Sequence, residues 1–177
     1  YMLDKSHAGC GCLQVAEGLY MDSVYLQVIR RSIFESPVQG RGHYTYSDLG
    51  MILLQRIIEQ VSGERLNDYV HRNFYEPMDL QRISYLPLEK YDRNMIAPTA
   101  NDQVFRKQVL RGYVHDPAAA MLGGVSGHAG VFSNASDLAA IYLMLLNGGY
   151  YNGQRFLKAE TVERFTKKQK NGSRRGL

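Results

Sequence analysis

The sequence predicts a mainly α fold of the α+β class. Residues 47–63 carry apolar side chains at helical spacing with a polar stripe opposite, and residues 136–147 repeat that pattern. Strand signals are few, and the clearest is the Asn152-Gly153 turn of a small β-hairpin over residues 150–157. With 177 residues, one domain is the expected number, long enough to bury a core. A chain that is 45% hydrophobic and 21% charged belongs with ordered globular proteins rather than disordered ones.

The elements follow in order. Residues 1–20 are glycine-rich and lack a period, which reads as loop with a short strand at most. Asp22 caps a helix expected over residues 23–35, with Val24, Val28, Ile29 and Ile33 facing inward. Ser36-Pro37 ends it, because the residue before proline is pushed out of the helical region. Residues 38–43 form a polar glycine loop leading to Tyr44. Ser47 is the expected N-cap of the central helix, Asp48 sits at the positive end of its dipole, and Gly63 closes it. Leu49, Ile52, Leu53 and Ile57 belong to its apolar face, so this helix and that of residues 136–147 are expected to be the most buried.

A further helix is expected over residues 64–75, stopped by Glu76-Pro77. Residues 79–112 look irregular, and so long a stretch without a period tends to be functional. Asn134 and Asp137 cap the helix of residues 136–147, whose apolar face holds Leu138, Ile141, Tyr142, Leu145 and Leu146. Gly148-Gly149 ends it, and a short helix is expected over residues 160–168.

The net charge of +4 is concentrated in a basic tail that includes Lys167, Lys168, Lys170, Arg174 and Arg175. No zinc spacing or aromatic RNA-binding motif accompanies it, so the tail reads as a solvated helix end and no nucleic-acid partner is expected. No apolar run reaches the roughly 18 residues of a membrane span. No signal peptide is visible, and the chain, opening on Tyr-Met-Leu-Asp, looks like a piece of something longer. Cys10 and Cys12 flank Gly11, with His7 nearby; free thiols are expected, since a fourth metal ligand is missing.

The chemistry-bearing residues lie in two places. Tyr46, Ser47 and Asp48 stand at the mouth of the central helix, where a cap beside a packed tyrosine is the plain alternative to chemistry. Gly124, Gly127 and Gly130 space like a phosphate loop without its Lys-Ser/Thr ending. Ser126, in Gly-Val-Ser-Gly-His, can in principle form a triad with His128 and His115-Asp116; the competing reading is a glycine-rich turn that brings backbone close to a neighbour.

Tyr46-Ser47-Asp48-Leu49-Gly50, Val61-Ser62-Gly63-Glu64 and Glu76-Pro77-Met78 strongly resemble the serine β-lactamase and penicillin-binding-protein family of class C type. His115-Asp116, the stretch Gly123-Gly124-Val125-Ser126-Gly127-His128-Ala129-Gly130 and Asp137-Leu138-Ala139 are similar to later motifs of the same family. The likeness is strongest to the β-lactamase-related region that some Bacteroidetes proteins carry fused behind a family 3 glycoside hydrolase. It implies one partial domain over residues 1–177, the helical portion of the β-lactamase/transpeptidase-like fold, truncated at both ends.

In that family a serine three residues before a lysine is the nucleophile, Tyr-x-Asn supplies a base and a hydrogen-bond partner, and a later Lys/His-Thr/Ser-Gly strand binds the substrate carboxylate. The resemblance therefore assigns catalytic roles to Tyr46 and Asp48 and substrate binding to Ser126, Gly127 and His128, with no metal and no cofactor. None of the serines of this chain has a lysine three positions on, and the Lys/His-Thr/Ser-Gly element is absent too. Tyrosine, with a reference pKa of about 10, then lacks the two ammonium groups that would make it a base. Asp48 also departs from the pattern: Asn donates and accepts, whereas an ionised Asp only accepts.

The implied function is that of a fragment of a penicillin-recognising serine hydrolase acting through an acyl-enzyme on cell-wall-related amides or esters. The isolated chain is expected to be inactive; the alternative is a non-catalytic binding or structural module attached to a glycoside hydrolase. The expected setting is the bacterial envelope, periplasmic or secreted. The expected partners are a small-molecule or peptide substrate and a second copy of the chain, drawn by apolar surface left bare.

Overall fold

The computed structural model describes the backbone of Met2–Leu3 and residues 11–37 and 45–168. The predicted loop of residues 38–43, together with His7, Cys10, Tyr44, Lys170, Arg174 and Arg175, lies outside the described residues. The fold is mainly α within the α+β class, as the helical periodicities require. In chain order the elements are β1 (Met2–Leu3), β2 (Leu13–Ala16), β3 (Leu19–Met21), α1 (Tyr25–Phe34), α2 (Leu49–Ser62) and α3 (Leu66–Val70), which runs on as a π-helical turn over His71–Tyr75. They continue with β4 (Pro98–Asp102), β5 (Gln108–Arg111), α4 (Pro117–Met121), α5 (Ala135–Leu146), β6 (Tyr150–Tyr151), β7 (Gln154–Arg155) and α6 (Ala159–Thr166).

The chain forms two compact units, Tyr1–Asn67 with Ser84–Phe132 and Asp68–Ile83 with Ser133–Leu177. In the first, β1, β3 and β2 make an antiparallel sheet in that order. Its core gathers Val15 and Met21 from the strands with Val114, Ala119 and Ala120, and Tyr25, Leu26 and Ile29 of α1 pack at the border. In the second unit Ala140 and Met144 of α5 pack on Tyr75, Met78, Leu80 and Ile83. Here Arg82 N–H donates to Asp137 Oδ2 at 2.6 Å, tying the segment after the π-helical turn to the first turn of α5.

Local signals read from sequence reappear as contacts. Asp22 Oδ1 accepts Val24 N–H at 2.9 Å ahead of α1, and Ser47 Oγ accepts Leu49 N–H at 3.3 Å at the start of α2. Gly63 adopts φ 73° and its N–H reaches Glu59 O, the left-handed helix end that glycine reaches without a Cβ penalty. Asn134 Oδ1 accepts Asp137 N–H at 2.8 Å, and β6 and β7 pair around Asn152-Gly153. Removing the α5 cap with Asn134→Ala should cost about 1 kcal/mol. Urea unfolding followed by circular dichroism would read this as a lower midpoint; an unchanged midpoint would deny the cap its role.

Five expectations need correction. Residues 1–20 are more than loop with a short strand, since β1, β2 and most of β3 of the three-stranded sheet lie there. Val24 and Val28 point outward, because α1 turns Tyr25, Leu26 and Ile29 onto the core instead. α2 and α5 are far from fully covered: Met51, Leu54, Ile57 and Val61 are exposed, Val61 to 83%, and so are Leu138, Tyr142 and Leu146. Their buried residues are Ile52 and Gln55 in α2 and Ala140 and Met144 in α5. The apolar faces exist as predicted, but within this chain only a narrow strip of each finds a partner. Residues 79–112 are not irregular throughout, since β4 and β5 pair as a hairpin. Its turn is built by Asp102, whose Oδ1 accepts Val104 and Phe105 N–H at 3.0 and 2.8 Å. Finally, Cys12 is disulfide-bonded rather than free.

Candidate active site

The site is assembled inside the first unit from the mouth of α2 and the segment 106–130. At the mouth, Tyr46 is 69% exposed and Asp48 is half-buried. The Asp48 carbonyl accepts Met51 and Ile52 N–H at 3.0 and 3.1 Å, starting the helix. Its carboxylate makes no hydrogen bond to its own helix, so it is not spent on capping.

Arg106 sets the approach to α4. It is buried, its Nε donates to Asp102 Oδ2 at 2.7 Å, Nη1 donates to Val114 O at 2.6 Å, and Nη2 donates to His115 O. One guanidinium thus holds the two carbonyls that precede Asp116. Asp116 is the N-cap of α4, with Oδ1 accepting Ala119 N–H at 2.7 Å and Pro117 at the first helical position, where its missing N–H costs nothing. Burial pushes the Asp116 carboxyl up, but the N–H of Ala119 and the His128 ring outweigh it and hold the group below the usual carboxylate range.

After α4 the chain turns back through Gly123 and Gly124 and lies against α2. Gln55 clamps it there: Nε2 donates to Val125 O at 3.2 Å and Oε1 accepts Gly127 N–H at 3.2 Å. The approach is so close that a Cβ on Gly127 would run into the Met51 carbonyl oxygen. Tyr85 OH donates to Ser126 O at 3.1 Å, and burial raises the Tyr85 pKa.

Ser126, His128 and Asp116 form one hydrogen-bonded line, with Ser126 Oγ 2.8 Å from His128 Nδ1 and His128 Nε2 2.8 Å from Asp116 Oδ1. This connects the residues of a Ser-His-Asp triad, but the imidazole is turned end for end: in the proteolytic arrangement Nε2 faces the serine and Nδ1 the carboxylate. Ser126 is wholly buried, and the His128 side chain is 3% exposed. A sealed hydroxyl cannot meet a substrate, so the line fixes the loop, and Ser126 is not placed as a nucleophile. Asp48 joins it from α2: one ligand atom each from Asp48, Asp116 and His128 lie within 4.8 Å of one another.

Of the residues singled out in the sequence, Asp48 comes within 4.8 Å of His128, which is hydrogen-bonded to Asp116 and Ser126, and Gly127 lies between Ser126 and His128 in the loop. Tyr46 stands two residues before Asp48 on the exposed side. His115 is exposed while its neighbour Asp116 carries the contacts. Sequence reasoning missed Gln55 and Arg106. Gln55 lay on the polar stripe of α2 with nothing to mark it, and Arg106 lay in a stretch without a period. The Asp116-Pro117 pair was a legible helix start. Two surface clefts of about 360 and 430 Å³ exist, and neither is lined by Tyr46, Asp48 or His128.

The family described as Beta-lactamase matches residues 15–177. A protein of Escherichia coli K12 described as "Putative D-alanyl-D-alanine carboxypeptidase" is 38% identical over 164 residues, which is 86% of this chain and 37% of that protein. A protein of the same description from Salmonella gallinarum is 34% identical over 167 residues, covering 88% of this chain and 38% of its own length. The chain thus spans well under half of these relatives. Among solved structures, the octameric penicillin-binding protein homologue from Pyrococcus abyssi superposes with a TM-score of 0.53 at 22% identity, over 75% of this chain and 27% of that one. The D-amino acid amidase from Ochrobactrum anthropi SV3 gives a TM-score of 0.52 at 16% identity, over 75% of this chain and 38% of that one. These two likenesses concern the fold. The match over residues 15–177, joined to relatives more than a third identical, makes this chain a member of the β-lactamase family.

Proposed function

We propose that the intact protein is a penicillin-recognising serine hydrolase that forms an acyl-enzyme on D-alanyl peptides or related amides and esters of the cell wall. The observation that carries this reading is the mouth of α2: an exposed Tyr46 beside an Asp48 whose carboxylate is not consumed by its helix. In this reading Tyr46 moves the proton of the nucleophile, Asp48 partners the lysine of a Ser-x-x-Lys element elsewhere in the protein, and Gly127 and His128 with Ser126 shape the adjoining wall. The peptide substrate is supported by the description of the Escherichia coli relative, and an envelope location fits that substrate. Among the described residues no helix is long and apolar enough to cross a membrane.

The bare faces of α2 and α5 belong in this reading against the remainder of the domain or against a second copy of the chain. Attachment to a glycoside hydrolase rests on the motif resemblance alone. The 177-residue chain has no serine three positions before a lysine, so by itself it should not turn over nitrocefin or p-nitrophenyl esters. The intact protein should do so, and a radiolabelled or fluorescent penicillin should label it covalently. An intact protein that neither turns over these reporters nor is labelled would establish a binding module that kept the fold.

A further inference from the structure

We propose that Glu59 is a positioning residue of the hydrolytic site, acting through Gln55 to hold the loop of residues 125–128 in register with Asp48. The inference rests on the hydrolase reading for what the site does, and adds to it a pair of α2 side chains that stand outside the reacting groups.

Asp48, Ile52, Gln55 and Glu59 follow one another at helical spacings of four, three and four residues, so they lie along one face of α2. Ile52 and Gln55 are the buried residues of the helix, and Gln55 meets the loop, so this is the face turned to residues 125–128. Glu59 stands three turns beyond Asp48, about 16 Å along the axis at about 1.5 Å per residue. Whatever it does for the site, it does through the side chain between them.

Glu59 settles which way the Gln55 amide faces. Its side chain is only 17% exposed, and its Oε1 accepts Gln55 Nε2–H at 3.1 Å and Leu66 N–H at 3.2 Å. Arg56 Nη1 donates to Oε2 at 3.1 Å and holds the carboxylate from its outer side. An ionised carboxylate only accepts, so the amide nitrogen must face it. The second N–H of that nitrogen then reaches Val125 O, and Oε1 is left for Gly127 N–H, both at 3.2 Å. Turned end for end, the amide would set its carbonyl against the carboxylate and its NH2 against Gly127 N–H. From the opposite side Tyr85 OH donates to Ser126 O. Three successive residues, Val125, Ser126 and Gly127, thus each have a backbone group held by a side chain, and His128 comes next. The fit has no slack, since a Cβ on Gly127 would strike the Met51 carbonyl oxygen.

The test is made on the intact protein. Gln55→Met keeps the side-chain length, removes the amide and should fold normally by circular dichroism. It should speed hydrogen exchange of the peptide spanning residues 123–130 about tenfold, the effect of one lost hydrogen bond. It should also lower the maximal rate of covalent labelling by a fluorescent penicillin about 10–100-fold, with the half-saturating concentration little changed. Glu59→Met should reproduce both effects. Glu59→Gln, which keeps an oxygen for Gln55 Nε2, should restore labelling close to the parent's rate. The double variant of Gln55→Met with Glu59→Met should label no more slowly than Gln55→Met alone, because Glu59 acts through the amide. Should Gln55→Met fail to fold, the two Glu59 variants carry the same comparison. Losses that multiply in the double variant would overturn the proposal, and so would loop exchange unchanged in Gln55→Met or Glu59→Met. A parent that penicillin does not label would instead fail the hydrolase reading, and the exchange measurement would still decide whether Glu59 and Gln55 hold the loop.

Discussion

Replacing Tyr46 by Phe in the intact protein is expected to lower kcat by a factor of about 10²–10⁴ while leaving KM within a few-fold of its starting value. Tyr46 is 69% exposed, so it contributes little to packing, and Phe keeps its ring. What Phe removes is the hydroxyl, the group that would take the proton from the nucleophile and return it to the leaving amine. Loss of a proton-transfer group weakens the transition state and not ground-state binding, which predicts this split of kcat from KM. Steady-state kinetics on a p-nitrophenyl ester or D-alanyl peptide would read it. An unchanged kcat would move the base to another residue, and a raised KM with constant kcat would make Tyr46 a binding group.

Replacing Arg106 by Met should destabilise the first unit by about 3–5 kcal/mol, the usual cost of removing one partner of a buried pair. The Arg106 side chain is wholly buried, and its guanidinium serves Asp102, Val114 O and His115 O together. Met fills similar volume but leaves a carboxylate and two carbonyls without their donor. The damage should reach the site, because the carbonyls of Val114 and His115 lead directly into Asp116. Urea unfolding would show the loss, and an unaltered midpoint would mean that water replaces the guanidinium.

The same contact makes a pH prediction. The Arg106 hydrogen bond, against the opposing effect of burial and helped by the N–H groups of Phe105, Val104 and Arg106, holds the Asp102 carboxyl at about 2. That lies below the unfolded value of about 3.9, so the stabilisation is fully present above about pH 3.9 and is lost as pH falls through about 2. The unfolding midpoint of the parent should therefore fall toward that of Asp102→Asn over this window. A constant gap between the two would refute the linkage.

Much of the architecture was legible in the chain because its signals are local. Asn134 caps α5 through a residue three positions away, Gly63 ends α2 through one four positions back, and Asn152-Gly153 turns β6 into β7. These contacts lie within one turn of backbone, where residue type and spacing decide the conformation. The motif pair at Tyr46-Ser47-Asp48 and residues 123–130 was equally visible, and the placement of Asp48 beside His128 shows that both motifs serve one locality.

Other features were decided only by the tertiary structure. Hydrophobic period showed that α2 and α5 have apolar faces, but not that so little of each would be covered within these 177 residues, since amphipathicity specifies a face and not its partner. The β4–β5 hairpin escaped notice because its turn is held by the Asp102 side chain rather than by an Asn-Gly pair. Gln55 reads as one more polar residue on a helix surface until Val125 and Gly127, some seventy positions on, bring it the hydrogen bonds that bury it. Ser126 and His128 spelled a near-elbow in sequence, and only packing revealed that the hydroxyl is sealed behind the imidazole. Local backbone preference therefore chose the elements of this protein, whereas burial, which depends on what the rest of the chain brings alongside, decided which polar groups support the site and which can meet a ligand.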